Sequence, residues 1–520
     1  MGEVDTASDL NPTAAVTTTD EPHSRREIIA STPKYMIFSA VIASLGSFNN
    51  GYNTSVFNIP ENVIRFCNGV VPPDHKQGGL PDCIPMDNFQ WGMAVAMFAI
   101  GGLIGGVLGG PGITRLGRRG AMIWNNLFLI VGSLLVSTTS SVTQLVVGRT
   151  IVGIGCGGAC VISPTYLSEI ATVEARGALG AMNQLFIVLG ILVVECLGLG
   201  LSSPPVWRVL TIIPALVGIG QMIGCLFINE TPRYLVLQGR ISDAEHALKR
   251  LRGGRDVSEE LYEIMNPQGA GDGSPRLNAS DSDSDKGDAA GQTKDGDEKQ
   301  ADGTNSINVW QLLRGRGGGP YHLFKPLLFA SVFSAVQQLS GINGVMFYST
   351  SIFDKLFSNS QTPQHITVGT GGLNVVMTVI TMGLVDRLGR KILTLISAGG
   401  MTVSSIVIVI ASAANSDVLV IVFVFLFIAF FAVGLGVTPW LFMTETFPTY
   451  AQSAASSWCM ILNWFCNFIV GLIFPSLQSG LGDATFVPFA AITGAFTLFV
   501  LFFVPETKGK PVDEVISMLH

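Results

Sequence analysis

Two glutamines, a serine and an asparagine stand together in QQLSGIN, residues 337–343, between LLFASVF and GVMFY. A carboxamide donates through nitrogen and accepts through oxygen, so Gln337, Gln338 and Asn343 offer donors and acceptors without net charge. In apolar surroundings each unsatisfied group costs about 1–3 kcal/mol, so partners must be built in or brought in. Two arrangements meet that demand: amides that tie helix to helix, or amides that face a neutral ligand rich in hydroxyls. No phosphate loop, metal-ligand cluster or nucleophile–base pair accompanies them, so the sequence is not read as an enzyme and implies no cofactor or metal.

The elements around these residues must be membrane helices. The chain has 520 residues, 48% hydrophobic and 13% charged, about half the charge of a typical soluble protein. Apolar runs of about 20 residues, the length that crosses a bilayer core, are predicted over 34–56, 89–112, 121–138, 144–168, 178–200, 208–228, 322–350, 364–385, 391–413, 417–443, 451–475 and 484–504. Arg115, Arg118, Arg119, Arg176, Arg387, Arg390 and Lys391 fall in connections on one side, while STTSS (137–141) and LSSPP (201–205) on the other carry no charge. The positive-inside rule makes the first side cytoplasmic and, with an even number of spans, puts both termini there. Of eight cysteines, six lie within spans. Cys67 and Cys83 share the extracellular loop after the first span, where a disulfide and two free thiols both fit.

Between Asn229 and Gly319 the chain turns hydrophilic. The organisation reads as a cytoplasmic tail (1–33), a six-span unit (34–228), a linker (229–319) disordered over 255–305, a second six-span unit (320–504) and a short tail (505–520). SDAEHALKRLRG (242–253) has the apolar spacing of an amphipathic helix ahead of the disorder. The same phrases recur in order on either side of the linker. RLGRRG (115–120) returns as RLGRK (387–391), YLSEI (166–170) as FMTET (442–446), and ETPRYL (230–235) as ETKGKP (506–511). A repeated six-span unit is the signature of secondary transporters, whose halves rock about a central site.

Together with GRTIVGIGCG (148–157), QQLSGIN and PETKGK, these phrases resemble the sugar porter family of the major facilitator superfamily, and GYNTSVFNIP (51–60) is most similar to its facilitative glucose transporters. The resemblance runs from about Lys34 to Glu514. It implies an all-α membrane protein of twelve transmembrane helices in two pseudo-symmetric six-helix bundles, with short cytoplasmic helices in the central loop. It also implies a sugar site at Gln184, Gln337, Gln338, Asn343, Asn374, Trp440, Phe347, Asn463 and Trp464. Where the family has a helix-10 glutamate stands Ala432, which predicts altered or broadened sugar preference. Arg118, Arg119, Arg149, Glu169, Arg176 and Glu230, with Asp386, Arg387, Arg390, Glu445 and Glu506, match the family's cytoplasmic gate network, expected to hold the halves together while the site faces outward. Gln452, where an arginine is usual, predicts a weaker latch and a carrier that leans toward the inward-facing state.

Proton-coupled relatives place an aspartate where Asn53 stands, and a carboxamide does not titrate, so the expectation is a uniporter for hexoses. Glu195, inside the fifth span near its extracellular end, is read as reaching water. The alternatives are a proton-coupled sugar or polyol symporter and a non-transporting sugar sensor. The expected partners are sugar and membrane lipid, not nucleic acid, for a monomer in the plasma membrane.

Overall fold

The computed structural model describes residues 33–67, 80–172, 175–266, 309–313, 323–357 and 361–519. Among these residues every regular element is a helix. Eight stretches are long and apolar enough to cross hydrocarbon unaided, and two of them, Asn88–Ser137 and Ala451–Phe503, each hold two passes. The other two passes of twelve are interrupted by polarity or by a break. The first, Lys34–Ser55, carries buried Ser39, Ser44, Ser47, Asn49, Asn50 and Asn53. The seventh is two helices, Phe324–Leu339 and Ile342–Asp354. Spans four to six are Val142–Ile170, Arg176–Leu201 and Trp207–Phe227. Eight and nine are Gln361–Leu388 and Arg390–Ala413, eleven and twelve Thr449–Leu481 and Val487–Phe503. Exposed Val376, Ile380, Ile406, Ile410, Leu498 and Phe502 give spans eight, nine and twelve an outer surface suited to lipid rather than water.

Breaks fall where a side chain would not fit. The expectation of one helix over 322–350 is corrected: the chain turns at Gly341, φ 91°, where a Cβ would press into the Phe489 ring. The tenth span stops at Val433 and resumes as Thr438–Thr446, as the glycine-rich GLGVTPW suggests. Such breaks survive inside a membrane only where protein or a cavity meets the freed backbone.

At the face where the first span begins, the tail face, the repeat becomes geometry. Gly117 (φ 76°) and Gly389 (φ 86°) break the chain between spans two and three and between eight and nine. In each half a glutamate closes the turn. Glu230 accepts from the Arg118 and Arg119 amides at 2.9 and 3.1 Å, and Glu506 accepts from the Arg390 and Lys391 amides at 2.8 and 3.1 Å. Each carboxylate sits at a helix N-terminus, where free N–H groups and the dipole favour an anion.

The linker begins with helices Pro232–Leu237, Ile241–Leu251 and Ser258–Met265, packed through Leu235, Ala244, Leu248 and Leu261. The last of them corrects the expectation of disorder from 255: Leu261 has a core to join, and Glu260 pairs with Arg252 at 2.5 Å. Most of the remaining stretch read as disordered, from 267 to 305, lies outside the described residues, as do 1–32 of the N-terminal tail.

Valine at Gly117 would face both an unfavourable left-handed backbone, about 1–2 kcal/mol, and collision with the Glu230 carboxylate. Gly117→Val is expected to lower the melting temperature of detergent-purified protein by several degrees. Gly177→Val, at an open position, should change it far less. Equal melting of the two variants would contradict this.

Candidate functional site

Midway through the bundle, between the two halves, lies a cavity of about 430 Å³. Its C-terminal wall is a directed chain of carboxamides. Asn343 Nδ2 donates to Gln338 Oε1 at 2.5 Å, Gln338 Nε2 to Asn463 Oδ1 at 3.0 Å, Asn463 Nδ2 to Gln337 Oε1 at 2.7 Å, and Gln337 Nε2 to the Leu435 carbonyl at 2.8 Å. That carbonyl belongs to the break in span ten, so the last amide satisfies backbone that the break set free. The second hydrogens of Asn463 and Gln337 go to the Ser334 and Gly436 carbonyls at 3.2 and 3.4 Å, so what the chain keeps for the cavity is the second N–H of Asn343 and of Gln338 and the second lone pairs of its oxygens. Asn374, Trp440, Trp464 and Ala432 line the same space. The Trp464 ring covers Gly102 of span two and meets Phe98 edge-on at 5.8 Å, which joins the halves.

The N-terminal wall supplies Gln184, as the resemblance implies, and Asn50 and Asn183, which the sequence reading missed. Asn50 Oδ1 is buried without a hydrogen-bond partner, and Nδ2 reaches only the Cys160 sulfur at 3.3 Å, a weak acceptor. Asn467, also missed, lines the cavity with Oδ1 unpartnered. The signals were available: Asn183 is next to Gln184, and Asn467 follows Asn463 by four residues, on one helix face. Asn50 lies three residues before Asn53, among the polar residues of the first span.

Three expected roles change. Phe347 does not line the cavity; one turn beyond Asn343, its ring packs by Gly471 and against Tyr348. Arg149 is not at the tail face. It lies two turns into span four from the opposite face, 1% exposed, donating to the Asn53 and Ala94 carbonyls at 3.0 and 3.4 Å between the Phe57 and Phe98 rings. Glu195 does not reach water. It is 1% exposed, with neither carboxylate oxygen hydrogen-bonded, between span five and Gly371 of span eight. Six residues separate it from the end of its helix, and the seam between halves covers it. Asn53 turns back to its own helix, donating to the Asn49 carbonyl at 2.9 Å.

The cavity is shut on the face opposite the tails. Ser55 Oγ and Asn58 Nδ2 donate to the Met346 carbonyl at 3.1 and 2.9 Å, Asn58 also to Ser349 Oγ at 2.7 Å, and Asn62 Nδ2 to Asp354 at 2.6 Å, each bond crossing between halves. Nearby, Cys67 and Cys83 are joined as a disulfide. On the tail face the ion pairs stay within a half: Arg118–Glu169 and Arg390–Glu445, both at 2.6 Å. The expectation of pairs bridging the halves concerns the outward-facing state, whereas this conformation is shut on the face opposite the tails. Arg119 donates to the Cys225 carbonyl at 2.7 Å. Arg176 and Arg387 are exposed without ion pairs to described residues, and the Asp386 side chain lies outside the described set.

With this geometry established, the chain can be compared with known proteins. Residues 39–519 match the family model "Sugar (and other) transporter". The chain is similar to facilitated glucose transporter member 3 of solute carrier family 2. The rabbit protein (Oryctolagus cuniculus) is 35% identical over 496 residues, covering 92% of each chain, and the human protein 34% identical over 495 residues, covering 92% of this chain and 91% of that one. Among solved structures, a partially occluded inward-open form of the xylose transporter XylE from E. coli shares the fold, with a TM-score of 0.70 at 22% identity, covering 92% of this chain and 99% of that one.

The hydrogen bonds separate amides that hold the wall together from amides that face outward. Asn463→Leu strands Gln337 Oε1 and Gln338 Nε2, at about 1–3 kcal/mol for each group left unpaired. It is expected to melt several degrees lower than the unmodified protein without ligand, whereas Asn50→Ala should shift melting little. The reverse order would contradict the assignment.

Proposed function

The chain belongs to the sugar (and other) transporter family, and from that membership and its cavity we propose that it carries hexoses, glucose among them, down their gradient by alternating access. Members of this family are transporters, not enzymes, and sugars are the cargo. The observation that carries the finer reading is the uncharged cavity wall: Gln337, Gln338, Asn343 and Asn463 from one half face Gln184 and Asn50 from the other. A hexose presents hydroxyls that both donate and accept, so carboxamides can replace its water shell without burying a charge. The halves, 34–228 and 320–504, rock about this site while the 229–319 linker spans them on the cytoplasmic side. Arginines at the tail face orient that face to the cytoplasm, with both termini, in the plasma membrane. The chain works as a monomer, and the bonds that shut the face opposite the tails support reading this conformation as the inward-facing one.

Two features support uniport. Asn53 has no proton to exchange, and Arg149 beside it is held by carbonyls and aromatic faces rather than by a carboxylate. Specificity rests on what faces Ala432, whose methyl leaves room where a carboxylate would accept hydroxyls. Asn50 Oδ1, unpartnered across the cavity, supplies an acceptor from the opposite wall.

Uptake of radiolabelled glucose, fructose, galactose and xylose into transporter-null cells tests the reading. Saturable downhill hexose entry unchanged by a protonophore is expected; accumulation above equilibrium that a protonophore abolishes would replace uniport with symport. Asn50→Ala is expected to raise the half-saturation concentration by about three- to tenfold, the loss of one hydrogen bond. Ala432→Glu should sharpen preference for glucose, and an unchanged sugar ranking in competition assays would refute the role given to that position.

A further inference from the structure

We propose that Glu195 is a proton-binding site in the extracellular seam, and that the seam closes only over its acid form. The inference rests on the alternating-access reading above. Glu195 is 1% exposed, and neither of its oxygens has a hydrogen-bond partner. It projects from span five of one half onto Gly371 of span eight in the other, so close that a Cβ there would collide with the carboxyl. No charged side chain faces it among the described residues. The first span brings Ser55, the eighth brings Gly371, and the titratable neighbour on its own helix is the Cys196 thiol.

An ionised carboxylate in such a place, without a cation or N–H donors, would lose its hydration and gain nothing in return. The acid form fits. Ser55 Oγ stands beside Glu195 but gives its own hydrogen to the Met346 carbonyl across the seam. While Ser55 holds Met346, the hydrogen in a Glu195–Ser55 contact is the acid's. Protonated Glu195 donates to Ser55, Ser55 donates to Met346 of the other half, and the chain of donors spans the seam. A carboxylate would draw the Ser55 hydrogen to itself, leave the Met346 carbonyl without it and loosen the same link.

When the halves rock to open outward, the Glu195–Gly371 contact parts, and the carboxyl meets extracellular water, where a glutamate titrates near about 4.3. Closing the seam then takes up one proton from outside, and reopening returns it to the same side. No net proton crosses per cycle. Because the closed state binds the proton and the open one releases it, closure is favoured as external pH falls and opposed as it rises. The bias is up to about tenfold per pH unit above the ordinary glutamate range and levels off within it.

Other acids at this face include Asp82, Asp87, Asp417 and Asp483, and two belong to its hydrogen-bonded seam. Asp354 accepts from Asn62, and Glu61 pairs with Arg65 at 3.2 Å. Burial pushes Glu61 up to about 7, against the pull of Arg65. The pH response must therefore be taken as the difference between the unmodified protein and Glu195→Gln, which keeps the shape and cannot ionise.

Reconstituted full-length protein supplies the test. With internal pH fixed, inward hexose flux should rise as external pH falls from about 8 to about 5.5, by up to about tenfold per unit, and Glu195→Gln should remove most of that slope. Equal slopes in both proteins would overturn the proposal. So would acidification of the vesicle lumen in step with sugar entry, because release would then be on the wrong side. A hydrophobic carbodiimide, which modifies protonated carboxyls in apolar surroundings, gives an independent measure. Mass spectrometry should find Glu195 labelled at neutral pH, and an unlabelled Glu195 would overturn the proposal even if the variant does not fold. If neither protein carries hexose, the transport reading fails and the labelling alone decides this one.

Discussion

A carboxamide in hydrocarbon stays put only if its donors and acceptors are taken up, and the run from Asn343 through Gln338, Asn463 and Gln337 to the Leu435 carbonyl meets that demand in one line of bonds. Much of the second half depends on it. The line links spans seven and eleven and ends on the carbonyls exposed where span ten breaks. The break brings Trp440 to the cavity, and the turn at Gly341 places Asn343 where it can begin the line. Binding wall and helix breaks are thus one structure: without the breaks the amides would lack partners, and without the amides the breaks would leave bare backbone in a membrane.

The two halves treat polarity differently. The C-terminal wall is bonded to itself and so preorganised. The N-terminal wall holds Asn50 with its oxygen unpartnered and Gln184 facing the cavity. A cargo that satisfies the second wall while leaning on the first gives the halves a reason to close around it. At the tail face, by contrast, the halves match closely: Gly117 with Gly389, Glu230 with Glu506, Arg118–Glu169 with Arg390–Glu445. These pairs make each half rigid, and the bonds of Ser55, Asn58 and Asn62 to the seventh span hold the opposite face shut.

Much of this was legible in the sequence because it follows from length, periodicity and repetition. Twelve apolar runs, the repeated loops and the amides at 337, 338 and 343 needed no coordinates. What was not legible depends on rotation and depth. Phe347 lies four residues after Asn343 on the same helix face, yet one turn further along it the neighbour is span eleven at Gly471 rather than the cavity. Arg149 was grouped with the tail-face arginines through the family resemblance, although its place two turns from the far face sets it among carbonyls and rings. Glu195 was allowed to reach water because a helix end was near, yet the neighbouring half covers that end, and no single helix reveals it. The helix at Ser258–Met265 hid in polar composition because one buried leucine and one ion pair suffice to dock it.

The most direct test of the central claim, that neutral amides from both halves grip a hydroxylated cargo, is a cryo-electron microscopy map of the full chain with bound glucose. The account predicts a ring in the cavity with hydroxyl oxygens at about 2.7–3.2 Å from side chains of the Gln337–Gln338–Asn343–Asn463 wall and from Asn50 or Gln184 opposite. Density elsewhere in the protein, with those amides bonded only to one another, would contradict it.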